Sequence, residues 1–207
     1  MTNIHLLLCT LFLLTACGKK NGTTDNGSGE TAGPAINISS VPMRPGYTWV
    51  YDSGDTIRVG ADTVINGIAA CQVVKTNNGG KAISYYANRT DGFYLLGTNA
   101  KPYAFGGNGF YADSAILFNN PILLAKFPVT LQKEWDTRVP LSKNDLRKWA
   151  SYVTITTKAG RFNCIKLSGN HIDEYYSLKG IVRIVNYVDC ITAPCPPVVT
   201  DLVSYNF

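Results

Sequence analysis

Beyond residue 46 the chain alternates apolar and polar side chains, the period of a strand with one face buried. Tyr47, Trp49 and Tyr51 alternate with Thr48 and Val50, and Asp52-Ser53-Gly54-Asp55 then turns the chain. Strands at 56–65 and 68–76 flank Asn66-Gly67, the strongest short hairpin signal. After the turn Asn77-Asn78-Gly79-Gly80, strands at 81–89 and 93–96 pair around Thr90-Asp91-Gly92. The pattern predicts a meander of about five strands in this first half. Residues 98–109, rich in Gly and aromatics, read as a long loop, and the apolar runs 116–118 and 122–127 are interrupted by Asn119-Asn120-Pro121.

The second half repeats the style. Trp135 lies within a strand-like run at 131–139. Ser142-Lys143-Asn144-Asp145 has the spacing of a capping box, which predicts one short helical turn with Leu146 and Trp149 on one side. Strands at 152–157 and 161–167 flank Lys158-Ala159-Gly160, and strands at 172–176 and 181–188 flank a turn ending in Gly180. A last strand at 198–207 pairs back across Cys190 to Cys195. The halves echo one another at an offset of about 90 residues: Trp49 with Trp135, Cys71 with Cys164, Tyr85-Tyr86 with Tyr175-Tyr176, and Gly92 with Gly180. The expected fold is all-β, with antiparallel meanders in two similar halves (about 46–98 and 131–188) forming a curved sheet, a half-barrel or a sandwich. At most one short helix is expected in it.

The first 40 residues are different in kind. Residues 6–14 are almost all apolar, too short a run to span a bilayer but the right size for the apolar part of a secretory leader. Leu14-Thr15-Ala16-Cys17 follows, and it resembles the lipobox of bacterial lipoproteins. The resemblance implies cleavage between Ala16 and Cys17 and diacylation of the Cys17 thiol, enough acyl chain to hold a protein at a membrane. One departure is that no Lys or Arg precedes the apolar run. Residues 18–40 are mostly Gly, Ser, Thr and Asn, too polar to offset their own ordering entropy, and read as a flexible tether. The division is therefore a leader at 1–16, a lipidated Cys with its tether at 17–40, and one β domain at 41–207.

Charge and cysteine content narrow the classes. The chain carries 19 Lys and Arg against 14 Asp and Glu, a net charge of +5 without a basic block, which argues against nucleic acid as a partner. Of two His residues only His171 lies beyond the leader. That weighs against His-rich metal sites and most catalytic triads, and no metal or cofactor is expected. Cys190 and Cys195 are candidates for a small disulfide loop at a hairpin tip, suited to an oxidising compartment. Cys71 and Cys164, at equivalent strand positions, either pair across the halves or pack as buried thiols.

Several segments also resemble β-domain lipoproteins of Bacteroidota. They are Gly46-Tyr47-Thr48-Trp49-Val50-Tyr51, Lys126-Phe127-Pro128 with Trp135, Gly160-Arg161-Phe162-Asn163-Cys164, and Glu174-Tyr175-Tyr176 on to Gly180-Ile181-Val182. The resemblance implies a fold and a compartment and transfers no catalytic residue. The lack of acidic residues directly after Cys17 points, by analogy with such lipoproteins, to the outer membrane facing the periplasm, with cell-surface exposure as the alternative. Tyr103, Phe105, Phe110 and Tyr111 crowd the longest loop and are the candidate binding residues. The expectation is a non-enzymatic envelope lipoprotein that touches the membrane through its anchor and binds or assembles with an envelope protein. A carbohydrate-binding accessory lipoprotein using those aromatics, and a hydrolase with an unconventional site, are the alternatives.

Overall fold

Thirteen antiparallel strands make one open, curved sheet in the computed structural model, which describes residues 29–77, 80–99, 115–137, 145–187 and 195–207. In chain order they are β1 (Glu30–Ala32), β2 (Thr48–Tyr51), β3 (Thr56–Ile65), β4 (Ile68–Asn77), β5 (Gly80–Arg89), β6 (Gly92–Thr98) and β7 (Ile116–Lys126). There follow β8 (Glu134–Thr137), β9 (Asp145–Thr157), β10 (Gly160–Ser168), β11 (Ile172–Ser177), β12 (Gly180–Asn186) and β13 (Val198–Asn206). Neighbours in space run β1-β9-β10-β11-β12-β13-β2-β3-β4-β5-β6-β7, with β8 pairing β9 beside β1. Each half is thus a six-stranded meander, β2 to β7 and β8 to β13, and β13 joins them by pairing β12 and then β2.

The echo between halves is visible in the backbone. Both meanders carry a bulge at a Tyr-Tyr pair, Tyr85/Tyr86 on β5 and Tyr175/Tyr176 on β11. It is inexact by one residue on the neighbouring strand. Cys71 sits opposite Tyr86, whereas Ile165, next to Cys164, sits opposite Tyr176.

Three local expectations change. The capping-box helix does not form: Asp145 opens β9, where Leu146 is exposed and Trp149 is 1% exposed. Long-range pairing of β9 with β8 and β10 outweighs a four-residue helix signal, and Trp149 with the Thr-rich run after it suits a strand. Asn119-Asn120-Pro121 does not split β7. It bulges out of the ladder, since Leu95 pairs with Ile122 and Gly97 with Leu117, and a proline is tolerated on such an edge strand. Finally, the fold begins before residue 41. β1 pairs Glu30, Thr31 and Ala32 with Ile155, Thr154 and Val153. Gly33 presses so closely on β9 that a Cβ there would collide with the Val153 carbonyl, and Ile38 and Val41 are each 2% exposed. The stretch read as tether is therefore part of the domain from about Glu30.

The sheet buries apolar side chains on both faces. On β10, Phe162 and Cys164 join a core with Trp49, Tyr51, Val153, Ile155 and Leu202. Their strand neighbours Ile165 and Leu167 join a second core with Ile38, Phe93, Phe127, Trp149 and Tyr176. Where the backbone ladder lapses, side chains bridge it. Trp49 Nε1 donates to the Lys179 carbonyl at 2.7 Å and Tyr51 Oη to the Ile181 carbonyl at 2.8 Å, across the gap opened where β13 leaves β12. At the outer edge of β7, Trp149 Nε1, Thr137 Oγ1 and Arg147 Nη1 donate to the carbonyls of Lys126 (2.7 Å), Leu123 (2.9 Å) and Leu124 (3.4 Å). The two end regions of the sheet are stapled together in this way.

Candidate functional site

Two networks hold most of the buried charge, and both are closed upon themselves. In the first, Lys166 on β10, Tyr175 on β11, Arg183 on β12 and Asp201 on β13 stand in one cross-strand row. Lys166 Nζ lies 3.0 Å from Asp173, whose carboxylate also accepts from Tyr187 Oη at 2.6 Å. Tyr175 Oη donates to Glu30 of β1 at 2.9 Å, and Arg183 grips Asp201 with two bonds of 2.5 and 2.7 Å. Burial opposes the Lys166 charge, yet Asp173 and Glu30 beside it hold the ammonium pKa above its usual value. Burial first, then the adjacent carboxylates, push the phenols of Tyr175 and Tyr187 up, so they act as donors and not as bases.

The second network lies at the seam where β7 meets β8 and β9. Arg147 is 6% exposed and reaches Asp145 at 2.7 Å and Glu174 at 3.1 Å. Tyr176 Oη donates to the same Glu174 oxygen at 3.1 Å. Burial weakens the guanidinium, but Glu174, Tyr176 and Asp145 outweigh it and raise its pKa. Asp173 and Glu174 thus serve separate networks on opposite faces, as adjacent strand residues must. Neither network turns an unengaged base outward, and their chemistry is that of structural clamps.

Cys71 and Cys164 are free and buried, so the expected alternative of a bond between them is corrected. Both thiols sit in one apolar core, and each is 3.6 Å from a backbone carbonyl, Tyr86 and Phe162 respectively. Burial, with a smaller push from Asp62 for Cys71, raises their pKa values to about 11 and about 12. A thiol that stays protonated is a poor nucleophile. Both should therefore resist iodoacetamide in the native protein at neutral pH and react once it is unfolded in guanidinium, as mass spectrometry would register. Fast native labelling of either would contradict this. The unfolded chain loses these protons near pH 9, the ordinary thiol value, before the folded chain does, so their ionisation lowers stability as pH rises above about 9.

One rim of the sheet carries exposed aromatic and cationic groups. The turns 157–160 and 177–180, the end of β13 and the chain before β2 meet there. Phe207 stacks on Tyr47 at 4.3 Å between ring centres and lies 5.1 Å from Tyr205, whose ring is 6.0 Å from Phe162. Lys179 Nζ stands 5.1 Å from the Phe207 ring centre and 5.7 Å from that of Tyr205. Leu178 is 66% exposed, and Tyr205 and Phe207 are about two-fifths exposed. Lys158, in the 157–160 turn, is exposed, as is Arg161, whose side chain alternates to the face opposite Phe162. An open depression of about 440 Å³ adjoins this rim, lined by Val41, Met43, Arg44, Tyr47 and Asn88 among others. The Asn88 amide is spent on the Val41 backbone, at 2.8 and 3.0 Å.

The other expected positions fall elsewhere. Ala16, Cys17, Tyr103, Phe105, Phe110, Tyr111 and Cys190 all lie outside the described residues. Cys195 is exposed and disulfide-bonded. Sequence reasoning missed the rim because four separate segments build it, and it missed the Arg147 clamp because its members come from three strands.

No protein family's sequence profile matches the chain, and no curated protein matches it. Among solved structures, a candidate lipoprotein from Parabacteroides distasonis is similar at 16% identity and a TM-score of 0.41, over 84% of this chain and 100% of that one. A likeness at that level carries no argument about this protein.

Proposed function

We propose that this chain is a lipid-anchored protein of the bacterial cell envelope, acylated at Cys17, whose β domain is a non-enzymatic binding or assembly module. The observation that carries the reading is the order of segments: an apolar leader, Leu14-Thr15-Ala16-Cys17, about a dozen polar residues, and then a sheet that begins at Glu30. Such an order gives a peptidase a small-residue cleavage site and gives the thiol access to a membrane surface. The oxidised Cys195 suits an exported compartment, and Cys190, at the other end of the same hairpin connection, is its proposed partner. The lack of acid after Cys17 favours the outer membrane facing the periplasm. Two further observations support a non-enzymatic role: the buried thiols are held protonated, and the buried carboxylates are taken up by Lys, Arg and Tyr partners. Cells fed radioactive palmitate should label the wild-type protein and leave a Cys17→Ser variant unlabelled and at higher mass. Label retained by the variant would sink the reading.

A further inference from the structure

We infer that the aromatic and cationic rim is a docking surface for an anionic lipid bilayer, the same membrane that holds the anchor. The inference rests on the acylation of Cys17 proposed above. Its own support is where the chain joins the fold. β1 runs antiparallel to β9, so Gly29 and Glu30 lie toward the 157–160 turn, the end at which the rim stands. Ile155 pairs with Glu30 on one side and with Phe162 on the other. The point of attachment is thus two strand spacings, roughly 10 Å, from Phe162, which touches Tyr205.

Length decides which end meets the membrane. About a dozen residues separate Cys17 from Gly29, and a polar linker of that size has a mean reach of roughly 17–21 Å. β9 alone runs 13 residues, roughly 40 Å, so the end carrying the 52–55 turn stands well away from the lipid when the rim meets it.

The chemistry fits the occupant. Leu178, Tyr205 and Phe207 offer apolar and aromatic surface of the kind that settles at headgroup level. Lys179, over the Tyr205 and Phe207 rings, and Lys158, in the neighbouring turn, offer exposed positive charge at this end. Each cation near an anionic surface raises binding roughly fivefold. Glu30, beside the point of attachment, is engaged by Tyr175 and Lys166. The anchor and the rim then act as two linked contacts, and the tether keeps the second at high local concentration.

The test uses the natively acylated full chain in vesicles of phosphatidylcholine and phosphatidylglycerol that carry nitroxide-labelled lipid. A fluorophore is placed at Leu178→Cys or, at the opposite end, at Ser53→Cys. Strong quenching at 178 and little at 53, weakened by salt, is expected. Lys158→Gln with Lys179→Gln should cut the fraction of docked rims by on the order of tenfold, and Lys158→Arg with Lys179→Arg should restore it. Equal quenching at both sites in protein that floats with the vesicles overturns the docking and leaves the anchor standing. A chain that neither floats with vesicles nor takes up palmitate overturns the anchor, and the docking with it.

Discussion

Trp149→Ala should cost the protein about 3–5 kcal/mol, the range for removing a large buried ring, and lower its denaturant midpoint accordingly. The ring is 1% exposed and lies 5.4 to 6.1 Å from those of Tyr176, Phe127 and Trp135. Its N–H also closes the seam by donating to the Lys126 carbonyl. Trp135 offers the control. It is 8% exposed, and its Nε1 has no partner among the described residues. Trp149→Phe should therefore lose packing and a buried hydrogen bond, roughly 1–3 kcal/mol for the orphaned carbonyl alone, while Trp135→Phe relieves an unsatisfied donor and should cost much less. Equal losses in urea melts would contradict the role assigned to the Trp149 bond.

Arg147→Ala is the second large expected effect, again about 3–5 kcal/mol, because it strands Asp145 and Glu174 in a largely buried site. Arg147→Lys should recover only part of that. The guanidinium reaches Asp145, Glu174 and the Leu124 carbonyl at once, and an ammonium cannot span the same fork. Adding Glu174→Ala to Arg147→Ala should restore some stability, since the second change removes the charge that the first left unpaired. Strict additivity of the two in chemical unfolding would refute the clamp.

Most strands were legible because their information is local. Alternation marked β3, β4, β5 and β10 to within a residue or two, and Asn66-Gly67, with Asn66 at a φ of 49° and Gly67 at 78°, forms the turn its sequence demands. What failed was written in distant partners. β1 is three residues in a polar run, and it exists because the β9 edge accepts it and Gly33 fits flat against Val153. The helix signal before Leu146 lost to pairing with β8 and β10. The two equivalent cysteines looked bondable because repeat position says nothing of distance or direction. The candidate site was least legible. Nothing in Leu178, Lys179, Tyr205 or Phe207 marks them locally, and only the folded sheet gathers them, while the sequence's own aromatic cluster lies beyond the described residues.

The short first strand has a mechanical meaning. If Cys17 is acylated as proposed, tension on it reaches the domain through Gly29, and β1 meets that tension nearly end-on, so the bonds to Val153–Ile155 are loaded in parallel and must yield together. Once they do, the residues up to Ile38 can pay out, each adding at most roughly 3.3–3.6 Å, before the buried Ile38 and Val41 take the load. With the proposed anchor, such an attachment would have two lengths set by force: short at rest, and longer, with the sheet behind it still intact, when the membrane is pulled away.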